Sequence, residues 1–317
     1  MQGIALSRHT TLKVILAFAC VYLFWGSSFV AIRYSVQMVH PAFVAGIRYL
    51  IAGLVLLVFL LIRGRRLSLT RRDLLQVTGL GLLMFTCNTL LLSYGGKQLP
   101  AGLTALIIST IPLFIALLDA ILPGRSSTPS FRSWIGIVTG FAGIALLLNH
   151  SLREGLLPQT AAPAAIGLLI AALAWAVGSV MLNRMTFTAP PLVTTCWQML
   201  IGGGVDVLIG LVAGGHHTSQ WSTSAWLSLL FLAVFGTLAG YTSYTYLLRR
   251  VSIASVATYA YINPLVAVLL GWLLLDEPLA RSQWLGLVIV LASVAMVVSL
   301  SPTTRRVTTN EMEASGT

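Results

Sequence analysis

Three charged side chains fall inside long apolar runs of the sequence and are candidates for chemistry: Arg48, Asp119 and Asp206. A charge in hydrocarbon costs roughly 2.5–3.5 kcal/mol on insertion scales, so it is kept where it pairs, meets water or handles a ligand. Arg48 offers a planar guanidinium able to hold a carboxylate or phosphate. Asp206, in Gly202-Gly-Gly-Val-Asp206, falls at similar depth. It reads as the resting partner of Arg48 or as a proton carrier. The alternatives are a purely structural ion pair and an arginine snorkelling to the surface. Asp119 lies near the end of its run, where a solvated charge is the simpler reading.

Polar and aromatic residues in the same runs extend the candidate set. Trp134, Trp221, Trp226 and Trp284 suit an interfacial belt, whereas Trp25 and Trp175 fall near the middle of their runs. A tryptophan there packs helices or presents a flat face and an N–H to a ligand. Asn88, Tyr241, Tyr259 and Asn263 carry buried amides and hydroxyls that need partners. With Trp25, Arg48, Trp175 and Asp206 they form the expected substrate-binding set. Pro112 and Pro264 each remove a helix hydrogen bond and crowd the carbonyls of Ile108 and Ala260. They are the expected hinges, the alternative being static kinks satisfied by neighbours.

Other chemistries find little support. No catalytic set is expected, since His9, His40, His150, His216 and His217 all lie in tails or loops. Cys20, Cys87 and Cys196 are far apart, with no metal-ligand spacing, and read as small apolar residues. No GxxxxGK[ST] loop is present, which argues against direct use of ATP. Neither a metal nor a cofactor is expected. The net charge of +11 raises nucleic acid as a partner, but the basic residues sit in short gaps between apolar runs and form no sustained face.

The elements that must position these residues follow from composition. Of 317 residues, 57% are hydrophobic and only 9% charged, against roughly 25% charged in soluble domains. Lipid is the solvent that suits such a chain. About ten segments approach the ~20 apolar residues needed to cross a bilayer: roughly 13–32, 42–62, 74–95, 101–122, 132–149, 162–183, 191–213, 225–247, 253–275 and 282–300. The first is too long for a signal-peptide core and no cleavage site follows, so it reads as a retained helix. With the N-terminus in the cytoplasm, fourteen of the 19 Lys and Arg fall on the cytoplasmic side, and only Arg33, Arg48, Lys97, Arg153 and Arg281 fall elsewhere. That asymmetry favours ten helices with both termini inside.

The halves also repeat. Trp25 and Trp175 precede Pro41 and Pro191 at equal spacing, and Arg48 and Gln198 follow at equal spacing. Tyr94 and Tyr246 stand equally far before Pro112 and Pro264, and Trp134-Ile-Gly136 matches Trp284-Leu-Gly286. Five helices per repeat is an odd number, so the second copy enters the membrane inverted, an arrangement that recurs in secondary transporters. The expected organisation is a tail (1–12), a first repeat (13–149), an outer linker (150–161), a second repeat (162–300) and a disordered cytoplasmic tail (301–317). Gly136, Gly140 and Gly143 give helix 5 a smooth face, for packing within the fold or in a homodimer.

Leu23-Phe-Trp-Gly-Ser-Ser-Phe-Val-Ala-Ile-Arg33, Pro41, Gly46-Ile-Arg48-Tyr49, Leu99-Pro-Ala-Gly102 with Ile111-Pro-Leu-Phe114, and Tyr261-Ile-Asn-Pro-Leu265 with Leu275-Asp-Glu-Pro278 resemble EamA-type members of the drug/metabolite transporter superfamily. The resemblance covers about residues 13–300. It implies an all-α integral membrane fold of ten helices in two inverted repeats, a central cavity, an inner-membrane location and secondary transport. The implied cargo is a small metabolite, often an exported amino acid. Coupling to protons is a separate expectation that rests on Asp206 as the carrier. Two departures stand out: Gly95 and Gly124-Arg125 occupy places where that family often carries glutamate. The rival readings are an intramembrane enzyme, which needs clustered acids or metal ligands, and a passive membrane assembly protein.

Overall fold

The computed structural model describes residues 8–121, 131, 134–136, 138–143, 159–251, 253–277 and 281–300. The C-terminal tail, most of the 150–161 linker, Gly124-Arg125 and the side chain of Asp119 lie outside the described residues. Every regular element among the described residues is helical. The long helices are α1 (Thr11–Met38), α2 (Pro41–Ile62), α3 (Arg71–Gln98), α4 (Ala101–Leu118), α5 (Trp134–Gly143), α6 (Ala161–Arg184), α7 (Pro191–Val212), α8 (Thr223–Arg250), α9 (Tyr259–Leu275) and α10 (Arg281–Leu300). Seven of these, α1–α4 and α6–α8, are long and apolar enough to cross a membrane.

Local signals set the boundaries and repeat between the halves. α2 and α7 are both 22 residues, each opening on a proline whose missing N–H costs nothing in the first turn. Both end on a left-handed glycine, Gly64 (φ 61°) and Gly214 (φ 70°). After α2 the N–H of Gly64 reaches the Leu61 carbonyl (2.9 Å) and that of Arg65 reaches Leu60 (3.0 Å), a Schellman motif that a residue with a Cβ adopts at a cost. α3 and α8 are both 28 residues and both carry a hydroxyl N-cap. Thr70 accepts from the Asp73 N–H (3.1 Å) and Ser222 from the Ala225 N–H (3.2 Å). Each also contains a π-helical stretch, Gly81–Cys87 and Leu232–Ala239. α1 has one of its own at Val21–Trp25.

Contacts between linkers show the inversion. The α1–α2 linker meets the α7–α8 linker: the Gln220 N–H donates to the Met38 carbonyl (2.8 Å) and the His40 N–H to the Ser219 hydroxyl (3.0 Å). The α6–α7 linker instead meets the start of α3, where the Asp73 carboxylate accepts from the Thr188 hydroxyl, the Thr188 N–H (3.1 Å) and the Ala189 N–H (3.3 Å). Equivalent linkers therefore stand at opposite ends of the bundle.

At the centre α2 crosses α7. A Cβ on Gly46 would lie 2.7 Å from the Gly203 carbonyl, and one on Gly203 would lie 2.8 Å from the Gly46 carbonyl. At an offset of 150 residues the same approach recurs, with the Cys196 thiol 3.5 Å from the Gly53 carbonyl. The crossing is thus nearly two-fold symmetric. Gly140 and Gly143 of α5 pack inside the fold, against Leu113 and Ile289, so that smooth face is used within one chain.

Two helical regions depart from expectation. Pro112 is not interior to a regular helix: α4 is interrupted at Ser109-Thr110 and restarts at Ile111, where a proline is well placed. Pro264 does lie inside a helix, but the ninth span is interrupted before it, at Ala257-Thr258.

Gly203→Leu places a side chain against backbone at the crossing and should cost roughly 1–3 kcal/mol or more. Gly204→Ala meets nothing within 4 Å and should gain up to about 1 kcal/mol. Thermal unfolding of the two purified variants checks the contrast. His40 caps α2: its Nδ1 accepts from the Ala42 N–H (3.4 Å), so Nε2 carries the proton toward the Tyr94 hydroxyl (3.4 Å). Burial, and then Lys97, hold its pKa below the ordinary imidazole value. The folded state thus disfavours the protonated ring, and stability falls as pH drops through about 6.5. A Tm profile against pH should show this loss, and His40→Asn, which keeps a capping acceptor, should flatten it.

Candidate functional site

A cavity of about 80 Å³ lies between the two halves, lined by α1–α4, α6, α8 and α9. A single water needs roughly 10–15 Å³ on this measure, so several waters fit. Seven of the eight expected site residues line it: Trp25, Arg48, Asn88, Trp175, Tyr241, Tyr259 and Asn263. Asp206 does not.

Aromatic rings form one wall. Trp25 and Trp175, equivalent in the repeats, meet edge to face at 5.3 Å between centroids and 86°. Tyr259 stands edge-on to Trp25 (5.1 Å) and Tyr244 lies 5.0 Å from it. The wall continues from Trp175 to Tyr241 (6.1 Å), Phe85 (4.8 Å) and Tyr49 (4.4 Å). Such pairs add about 0.5–1.5 kcal/mol each beyond area burial. The π-helical turn of α8 helps seat Trp25. Its indole N–H donates to the Gly236 carbonyl within that stretch (2.9 Å), and Gly240 leaves space where a Cβ would overlap the ring. Tyr244 donates to Ser179 (2.6 Å) and Tyr241 to the Gln198 amide oxygen (2.7 Å).

The polar wall centres on Arg48, which is 6% exposed. Its Nη2 donates to the Tyr49 hydroxyl (3.1 Å) and the Thr89 hydroxyl (3.5 Å), and its guanidinium lies 4.7 Å from the Tyr49 ring centroid. Asn88, just past the π stretch of α3, donates to the Ala171 carbonyl of α6 (2.8 Å). Asn263, with its amide nitrogen facing acceptors, donates to the Tyr22 and Tyr259 carbonyls (3.1 and 3.3 Å). Two buried polar groups at the cavity have no hydrogen-bond partner, Arg48 Nε and the Thr237 hydroxyl, and the Trp175 N–H stands against the Tyr244 and Tyr259 hydroxyls.

Arg48 and Asp206 do not pair. Among the described residues the ion pair is Arg33–Glu277. Asp206 is fully buried, and neither carboxylate oxygen has a hydrogen-bond partner. Thr86 stands alongside, but its hydroxyl donates to the Gly202 carbonyl (3.2 Å). Among the described residues no acidic side chain lines the cavity, and Arg48 is the one formal charge in its lining. A second cation about 6 Å from Arg48 would be repelled by about 3 kcal/mol at an effective dielectric of ~20. A cation–π contact, worth roughly 0.5–2 kcal/mol, would not offset this.

Each end of the bundle carries a clamp. Arg33 donates from Nη1 to the Gly96 and Lys97 carbonyls that end α3 (3.1 and 2.7 Å) and from Nε to Glu277 (3.2 Å). Glu277 also accepts the Ala101 N–H at the start of α4 (2.8 Å). At the other end Asn183, the repeat counterpart of Arg33, reaches the Leu248 carbonyl, the counterpart of Gly96, at 3.4 Å. One clamp is ionic and the other is a single long amide hydrogen bond.

Sequence reasoning singled out neither the clamps nor the lining residues Tyr49, Phe85 and Thr237. Thr237 lies in a π-helical stretch, which has no simple sequence signature. Arg33 and Glu277 could have been found by asking which charges flank the helix-ending prolines.

Two inverted helical repeats around a shared cavity define the architecture of a membrane transporter. The family model described as the EamA-like transporter family matches twice, over residues 12–149 and 162–299, and the chain belongs to that family. It is 35% identical over 282 residues to the uncharacterized inner membrane transporter YedA of Escherichia coli K12, covering 89% of each chain. It is 27% identical over 288 residues to the uncharacterized transporter YvbV of Bacillus subtilis, covering 90% of this chain and 91% of that protein. A crystal structure with 20% identity superposes with a TM-score of 0.67, covering 91% of this chain and 97% of the other, and so shares the fold.

Glu277→Gln removes the charge that joins Arg33 to the start of α4. Hydrogen exchange should quicken over residues 96–102 and stay unchanged around Asn183 and Leu248.

Proposed function

We propose that this protein is a secondary transporter of the inner membrane, with both termini cytoplasmic. It moves small amphipathic metabolites of amino-acid size outward by alternating access. The observation that carries this reading is the cavity built from repeat-equivalent Trp25 and Trp175, with equivalent clamps at opposite ends of the bundle. Opening either clamp would connect the same site to one side of the bilayer. In the proposed orientation the ionic clamp faces outward, so the resting protein favours closure there and opening toward the cytoplasm. The breaks in α4 and before α9, beside Pro112 and Pro264, are the proposed hinges.

Protons are the proposed coupling ion and Asp206 the group that carries them. An ionised carboxylate without partners costs far more to bury than a neutral acid, so its surroundings suit the protonated form. Exchange with the cavity then requires Asp206 and Arg48, which lie on the two crossing helices, to meet transiently.

Flux of a pooled metabolite panel into proteoliposomes, with and without a proton gradient, tests the function. Selective movement above empty liposomes, stimulated by the gradient, is expected. Asp206→Asn should keep exchange of substrate across the membrane while losing the stimulation. An absence of flux for the whole panel overturns the reading.

A further inference from the structure

The cavity's hydrogen-bonding inventory is one-sided. Arg48 Nε and the Thr237 hydroxyl have no hydrogen-bond partner, each on a residue at most 6% exposed, while the Trp175 N–H stands against the Tyr244 and Tyr259 hydroxyls. The acceptors are largely used: the Gly236 carbonyl by Trp25 and the Asn88 amide oxygen by Thr89. Among the described residues no carboxylate faces the space. A ligand that satisfies these groups brings oxygen acceptors and negative charge. An ammonium group would find aromatic faces but, among the described residues, no acid in the lining, beside the Arg48 guanidinium.

We propose that the cavity takes an amphipathic monocarboxylate that lacks an ammonium group. Its carboxylate pairs with Arg48 through the open Nε edge, and its apolar or aromatic body lies among Trp25, Trp175 and Tyr241. This rests on the transport reading and narrows it, separating organic acids from the zwitterionic amino acids they resemble.

The test uses three probes with one phenyl body: 3-phenylpropionate, phenylalanine and phenethylamine. Binding to the purified full chain is followed by tryptophan fluorescence and by Tm. 3-Phenylpropionate should bind, phenylalanine about tenfold or more weakly, and phenethylamine not measurably. Arg48→Gln should weaken 3-phenylpropionate by about tenfold or more and leave the uncharged 3-phenylpropanamide unchanged. That amide also reports whether the variant cavity is folded. Equal or tighter binding of the zwitterion or the amine overturns the assignment, as does unchanged 3-phenylpropionate affinity in Arg48→Gln. If 3-phenylpropionate binds but no compound in the panel is transported, the transport reading fails and the ligand class stands. If amines or zwitterions are transported and 3-phenylpropionate does not bind, the class fails and transport stands.

Discussion

The close crossing of α2 and α7 is the contact on which the rest of the architecture depends. Lipid offers no hydrophobic drive for helices to associate, so backbone proximity through small residues carries the packing. Gly46 and Gly203 leave each carbonyl facing the other helix where any side chain would intervene. Because the contact recurs at Gly53 and Cys196, it behaves as a self-complementary interface between the halves. An isologous contact of this kind fixes a local two-fold axis. Once that axis lies in the membrane plane, the linkers must stand at opposite ends and Trp25 must meet Trp175.

Much of this was legible because lipid reduces the choices. Apolar length gives the spans, and the fixed offset between Trp25 and Trp175 gives the repeat. Inversion follows from an odd number of helices. Depth was legible for the same reason, and seven of the eight residues singled out by it lie at the cavity. Rotation about each helix axis was not. Arg48 and Asp206 share a depth, yet Arg48 turns to Tyr49 and Thr89 while Asp206 turns away from the cavity. Helix regularity was over-read as well. The π-helical turns shift every later side chain round the axis, and Pro112 starts a segment where an unbroken helix was expected.

The halves are alike in backbone and unlike in charge. The clamp at Arg33 is held by Glu277, whereas its counterpart at Asn183 has only a neutral amide, and the residue equivalent to Glu277 is Arg125. In the proposed transport cycle the repeats give two arrangements of similar energy, and an unequal pair of clamps would tilt the balance between them. The cavity itself is likewise unequal: Arg48 stands where the second repeat has Gln198. Charge thus enters a symmetric scaffold at a few positions, and those positions are where direction and selectivity can be set.

The matched π-helical stretches in α3 and α8 have a mechanical consequence. A π turn holds one residue more than the regular helix around it, and each residue of an α-helix spans about 100° of rotation. Absorbing or expelling that residue would spin the following segment by about that angle with little change in length. In α3 the segment that would turn begins at Asn88, and in α8 it carries Tyr241 and Tyr244. Each half therefore holds, beside the cavity, a turn whose rearrangement would exchange one set of side chains for another by rotation about the helix axis.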